Sequence, residues 1–235
     1  MWLSHLRREY GLGALERKDL APDPIAQFEK WFDQAARGRG QTWLRRVGIA
    51  LYKLGQAILG RAPEEVNAMV LATAGKSGRP SARFVLLKGF DHRGFIFFTN
   101  YDSRKGRELT ENPEATLVFY WPDLERQVCI SGTATKLSRE ESEAYFRTRP
   151  RGSQIAAWAS PQSEVIPDRA ALERRWAEFA AKFEGTEVPL PPNWGGYLLE
   201  PQEIEFWQGR ANRLHDRFRY TKTGSNHWQI EQLAP

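Results

Sequence analysis

The chain has 235 residues, of which 41% are hydrophobic, 27% charged and 12% aromatic; this is the composition of a folded chain, long enough for a core that needs no disulfide staples. Its single cysteine, Cys129, excludes an internal disulfide and points to a reducing compartment. Lys and Arg exceed Asp and Glu by 34 to 29, a net charge of +5 with a pI near 9.4, which invites a nucleic-acid reading. Six basic residues (Arg37, Arg39, Arg45, Arg46, Lys53 and Arg61) lie between Gln34 and Pro63 with no acidic residue among them, so the rest of the chain is close to neutral.

Residues 1–10 carry Arg7, Arg8 and Glu9 with no apolar run behind them, unlike a secretory signal, and the expected location is cytoplasmic. Residues 24–37 read as a helix: Pro24 suits a first helical position, and Ile25, Phe28, Trp31, Phe32 and Ala35 recur at three- and four-residue spacing. In the basic stretch Leu44, Val47, Leu51, Leu54 and Ile58 form a second helical stripe. Gly48 and Gly55 weaken it by about 1 kcal/mol each. The apolar part, 47–60, is too short and interrupted for a membrane span.

From Asn67 the pattern becomes β. Strands are expected at 68–73, 81–90 and 95–99, joined by turns at 75–78 and 91–94. A short helix capped by Ser103 follows, and then strands at 116–121 and 127–137. Ser138 and Glu141 have capping-box spacing for a helix that stops near Pro150, and Asp168 caps another running to Phe183. Strands at 196–199, 204–208, 216–221 and 227–230 end the chain. The expected fold is a single mainly β domain over 1–235 with helical additions (α+β), its short antiparallel strands closing into a barrel.

No metal, hydrolase, Rossmann or P-loop signature is present: His5, His92, His215 and His227 never fall at ligand spacing, and Cys129 lies in an alternating strand. What remains is basic residues set in ordered, partly apolar elements. Arg83 and Lys88 bracket Phe84, Val85, Leu86 and Leu87; a lysine there also serves simply to carry its charge to a strand rim. Arg104 and Lys105 stand at a helix start, where cations oppose the helix dipole unless an anion joins them. Tyr145 and Arg149 are four apart, with Ser153 just beyond Pro150; two hydroxyls and a guanidinium make a phosphate socket, or an ordinary helix end. In Arg213-Leu-His-Asp-Arg217 an extended backbone would turn Arg213, His215 and Arg217 to one side, with Trp207 as a stacking wall. Two anion sockets, aromatic walls and no evident acid–base pair point to a phosphorylated cofactor and a phosphorylated substrate.

These residues fall in stretches that the chain shares, in order, with a known family. Arg83-Phe-Val-Leu-Leu-Lys88, Ser103-Arg-Lys105, Leu124-Glu-Arg-Gln127, Tyr145-Phe-x-x-Arg149-Pro, Trp194-Gly-Gly, Ile204-Glu-Phe-Trp-Gln-Gly209 and Arg213-Leu-His-Asp-Arg-Phe218 resemble pyridoxine/pyridoxamine 5′-phosphate oxidase. The resemblance implies an antiparallel split β-barrel and a homodimer with two FMN molecules at the subunit interface. It also implies oxidation of pyridoxine or pyridoxamine 5′-phosphate by hydride transfer to FMN, with dioxygen as reoxidant.

By position, the resemblance assigns FMN contacts to Arg83, Phe84, Val85, Leu86, Leu87, Lys88, Phe98, Thr99, Arg104, Lys105, Gln127, Gln162, Ser163, Trp207 and Arg217. It gives the substrate phosphate to Lys88, Tyr145, Arg149 and Ser153. Arg213, Leu214 and His215 would lie on the pyridine ring, with Arg213 and His215 catalytic, and residues 1–20, through Arg7, Arg8, Glu9 and Tyr10, would form a lid. Segment 38–64 reads as a basic amphipathic insertion, packed on the protein more readily than on a membrane. Competing readings are a heme- or deazaflavin-utilising split-barrel relative and a basic nucleic-acid-binding barrel.

Overall fold

The computed structural model describes residues 9–37, 65–225 and 227–235. Arg7, Arg8 and the 38–64 segment, with its expected second helix, lie outside the described residues. Among the described residues nine strands hydrogen-bond in the order β2-β1-β5-β6-β7-β4-β3, with β8 on β7 and β9 on β8. They are β1 Ala68–Ala74, β2 Pro80–Leu86, β3 Gly89–Asp91, β4 Gly94–Asn100, β5 Glu114–Trp121, β6 Arg126–Lys136, β7 Trp194–Gln208, β8 Asp216–Gly224 and β9 His227–Leu233. The helices are α1 Pro24–Arg37, α2 Arg104–Glu111, α3 Arg139–Thr148, α4 Arg151–Ala159 and α5 Arg169–Lys182. Among the described residues no helix is long and apolar enough to cross a membrane.

The chain divides into two compact units, and β5, β6 and β7 contribute residues to each. The unit formed by 1–69, 117–130 and 202–235 has an aromatic core. Its α1 buries Phe28 and Trp31, whose rings meet Phe119 at 5.0 Å and Phe206 at 5.2 Å. Each such burial contributes about 2 kcal/mol. The buried Tyr220 phenol donates to the Ala21 carbonyl at 2.8 Å, which satisfies its one polar atom.

In the other unit, 70–116 with 131–201, Phe146, Ile155, Phe183, Val188, Leu190 and Trp194 form a continuous core. Its helix starts follow the expected chemistry. The Ser103 hydroxyl accepts from the Gly106 N–H, Ser138 and Glu141 cap each other reciprocally, and Asp168 accepts from the Ala171 N–H.

Three expectations are corrected. The strand expected at 81–90 is interrupted, because Leu87 and Lys88 leave the ladder before β3 resumes; the Lys88 N–H still reaches the Ile96 carbonyl at 2.8 Å. The expected strands 196–199 and 204–208 are one strand, β7. Pro201, which has no N–H to donate, falls between the register with β4, ending at Leu199, and that with β8, beginning at Glu203. Gly94, at φ 144°, lies opposite, where an added Cβ would stand 2.1 Å from the Leu199 carbonyl oxygen. Finally, the helix expected to stop near Pro150 does end there, at Thr148, but it is followed directly by α4, which has no counterpart among the expected elements and which Gly152 and Ser153 disguise in the sequence.

Candidate functional site

A cavity of about 740 Å³ opens in the second of these units, within the usual range for cofactor and substrate sites. It is lined by Arg83, Phe84, Val85, Leu86 and Lys88 from β2 and the break after it, by Phe98 and Thr99 from β4, and by Lys105 from α2. Tyr145, Arg149, Ser153, Gln162 and Trp194 complete the wall. Arg83 and Lys88 both reach it although they are five residues apart. The interruption at 87–88 removes the strict alternation that would have set them on opposite faces.

Two cationic ends can be distinguished. At one, Lys105 is buried, and its ammonium donates to Thr99 Oγ1 at 3.1 Å, Ser103 Oγ at 3.2 Å and Gln162 Oε1 at 3.1 Å. All three acceptors are neutral. Burial, reinforced by the nearby Arg83 charge and opposed by Glu108, brings its pKa down to about 8. Arg83 donates to Thr73 Oγ1 at 2.6 Å and to Glu108 Oε2 at 3.3 Å. Burial alone would raise the Glu108 carboxyl; hydrogen bonds from Ser81, Thr73 and Arg104 outweigh it and hold the group at about 2.

At the other end, Phe98, Tyr145 and Trp194 form an aromatic stack, with ring centroids 3.9 Å apart for Phe98–Tyr145 and 5.5 Å for Phe98–Trp194. The Arg149 guanidinium lies 4.6 Å from the Trp194 ring centroid. Arg149 is not on the α3 face that the four-residue spacing predicts; it is the extended residue that ends the helix, and its N–H returns to the Phe146 carbonyl at 3.1 Å. Its Nη1 is buried without a hydrogen-bond partner among the described residues. A buried cationic donor left unpaired is costly, and one opening beside two hydroxyl-bearing residues, Tyr145 and Ser153, suits an anion.

Other expected site residues are not among those that line this cavity. Leu87 is buried in the core, Arg104 is paired with Glu108 at 2.8 Å, and the exposed Ser163 takes φ 76°. Gln127, Trp207, Arg213, Leu214, His215 and Arg217 belong to the first-described unit, as do Glu9 and Tyr10. There Tyr10 sets its ring edge-on to Trp207 and to His215, both at 5.6 Å, and Trp207 lies 4.6 Å from His215. Glu9 is exposed, and Gln127 donates to Cys129 Sγ at 3.4 Å. Burial pushes the Cys129 thiol up to about 11, so it stays protonated.

The segment 213–217 is not extended throughout, which corrects the shared-face expectation. Asn212 and Arg213 adopt left-handed φ values of 55° and 61°, and the strand begins only at Asp216. Arg217 is held by Glu205 at 2.8 and 3.0 Å. The His215 Nδ1 accepts the Arg210 backbone N–H at 3.1 Å, which leaves the proton of the neutral ring on Nε2. Trp194 lines the wall without being an expected site residue, as do Asn100, Thr148 and Ser160; its sequence signal is the shared stretch Trp194-Gly-Gly.

Strand order and peripheral helices define a mixed α+β protein of the antiparallel split-barrel class. The chain belongs to the pyridoxamine 5′-phosphate oxidase family: residues 59–183 match the pyridoxamine 5′-phosphate oxidase model and 194–235 the pyridoxine 5′-phosphate oxidase C-terminal dimerisation region. It is 53% identical over 233 residues to pyridoxine/pyridoxamine 5′-phosphate oxidases of Paraburkholderia phymatum (99% of both chains) and Rubrobacter xylanophilus (99% of this chain, 96% of the relative). Among solved structures it is similar to PhzG from Burkholderia lata 383, determined with tetrahydrophenazine-1-carboxylic acid. That likeness has a TM-score of 0.77 and 35% identity over 96% of this chain and 100% of the other.

Proposed function

We propose that this protein is a cytoplasmic FMN-dependent oxidase that converts pyridoxine 5′-phosphate or pyridoxamine 5′-phosphate to pyridoxal 5′-phosphate. Dioxygen is the final acceptor, hydrogen peroxide is formed, and the amine substrate also releases ammonia. The observation that carries this reading is the unpartnered Arg149 Nη1 in a cavity with Tyr145 and Ser153. It is a phosphate socket separate from the Lys105 end, as a phosphorylated cofactor with a phosphorylated substrate requires.

The residues suit FMN: a buried ammonium with neutral oxygen partners accepts a phosphate without displacing a carboxylate from itself. Lys105, Thr99 and Gln162, with Arg83 held by Glu108, would hold that group, while residues 84–86 would border its ring system. When bound, FMN supplies the two-electron acceptor that the protein itself lacks. Lys88, Tyr145, Arg149 and Ser153 fix the substrate phosphate and so the distance of the reacting carbon. Arg213 and His215 orient the pyridine ring, and the His215 Nε2–H offers a donor to it. The matched dimerisation region supports a homodimer with FMN at the subunit interface.

On this reading Arg213→Leu and His215→Ala each lower kcat/KM by about 100-fold, the scale of a lost positioning or proton-handling group. FMN content stays at the wild-type level. Steady-state oxygen uptake with pyridoxine 5′-phosphate measures the first and the absorbance of bound flavin the second; unchanged kcat/KM would remove both residues from the mechanism. The whole reading is tested by following oxygen consumed and peroxide formed on adding either phosphorylated substrate to the purified protein.

A further inference from the structure

Glu125 follows the tight turn Pro122–Leu124 and is the residue at which the chain swings into β6. Its backbone is left-handed, at φ 54° and ψ 43°. That conformation disfavours a residue with a side chain and ordinarily selects glycine or asparagine. Yet the position holds a glutamate whose side chain is only 2% exposed.

The Glu125 N–H closes its own turn on the Pro122 carbonyl at 3.2 Å, while its carboxylate and its main-chain carbonyl join two other segments. Carboxylate Oε2 accepts the backbone N–H groups of Gly11 and Leu12, each at 2.9 Å. The main-chain carbonyl accepts the Gly209 N–H at 2.8 Å and the Gln208 side-chain amide at 3.3 Å. The residue thus ties 11–12 to the turn that leads out of β7 toward Arg213 and His215. Gly209 completes the fit, since an added Cβ would stand 2.9 Å from the Tyr10 ring and 3.0 Å from Glu125 Cβ. The neighbour of the two donated N–H groups is Tyr10, the residue that packs edge-on against Trp207 and His215.

We propose that Glu125 is a positioning residue for catalysis: by holding the Gly11 and Leu12 amides it seats Tyr10 against the Trp207–His215 pair and so sets substrate affinity. This rests on the oxidase reading given above. Glu125 touches no reacting atom, and its effect passes through Tyr10.

The test uses the full-length protein loaded with FMN. Glu125→Ala removes two charge-assisted hydrogen bonds and is expected to raise KM for pyridoxine 5′-phosphate about tenfold, with kcat changed less than about twofold. Glu125→Gln, which keeps an oxygen acceptor, restores KM to within about threefold of wild type. Combining Glu125→Ala with Tyr10→Ala adds little to the larger single effect, because the two act in series. Leu12→Pro, which deletes one donated N–H at an exposed position, raises KM in the same direction without touching Glu125 and serves if Glu125→Ala fails to fold.

Hydrogen exchange at Gly11 and Leu12 needs no substrate: it is slow in the wild type and accelerated in Glu125→Ala. Fast exchange in the wild type, an unchanged KM in both Glu125→Ala and Leu12→Pro, or full additivity with Tyr10→Ala would overturn the proposal. Slow wild-type exchange that Glu125→Ala accelerates, in a protein without oxidase turnover, would keep the Glu125 tether and reject the oxidase reading instead.

Discussion

Replacing Arg149 with leucine should lower kcat/KM for pyridoxine 5′-phosphate by about 100- to 1,000-fold, the loss of one or two charge-assisted hydrogen bonds to a phosphate. Activity on pyridoxine without its phosphate should be unchanged. The contrast follows from the site. Arg149 Nη1 is buried with no hydrogen-bond partner among the described residues, and the guanidinium rests on Trp194, so the side chain is held in place before any anion arrives. Burial lowers the affinity of its guanidinium for the proton, a cost that a bound phosphate offsets. Arg149→Lys should recover only part of the loss, because an ammonium keeps the charge but not the planar fork. Equal losses on the phosphorylated and unphosphorylated substrates would assign Arg149 a structural role.

Lys105 should produce two pH responses of opposite sign. Its pKa in the folded protein is about 8, against about 10.4 for an exposed lysine. A group whose folded value is depressed binds fewer protons when folded. The stability of the FMN-free protein should therefore rise with pH between 8 and about 10.4 as the buried charge is lost. If that charge holds the FMN phosphate as proposed, FMN affinity should fall over the same range, by up to about tenfold per pH unit. Riboflavin, which has no phosphate, should show no such fall. Lys105→Met should abolish both responses and weaken FMN at pH 7 by about 100-fold. Fluorescence titration with FMN and riboflavin, beside denaturant melts at pH 7, 8, 9 and 10, measures both. An FMN affinity that stays flat across pH 8–10 in the wild type would contradict the assignment.

Much of this was legible because local chemistry dictated it. Ser103, Ser138 with Glu141, and Asp168 announce helix starts through the N–H groups they accept, and the strand expected at 68–73 is β1. Lys105 and Arg149 stood out as cations where a helix begins and where one ends, and both line the cavity.

What the sequence hid were arrangements set by distant partners. Pro201 reads as a strand break, yet it sits between two pairing registers of one long strand. Arg213 and His215 read as alternating strand residues until two successive left-handed residues, Asn212 and Arg213, redirect the chain. Trp194 carries no charge, and its role as the floor beneath Arg149 exists only because β7 brings it against Phe98 and Tyr145. Glu125 is still less visible, because its partners lie more than 80 residues away on either side in sequence.

The central claim is that this chain passes electrons from a phosphorylated pyridoxine to FMN. Its most direct measurement is the absorbance spectrum of the FMN-loaded protein when pyridoxine 5′-phosphate is added without oxygen. The oxidised flavin band should bleach in proportion to the pyridoxal 5′-phosphate formed and return when air is admitted; a band that persists with saturating substrate would contradict the account.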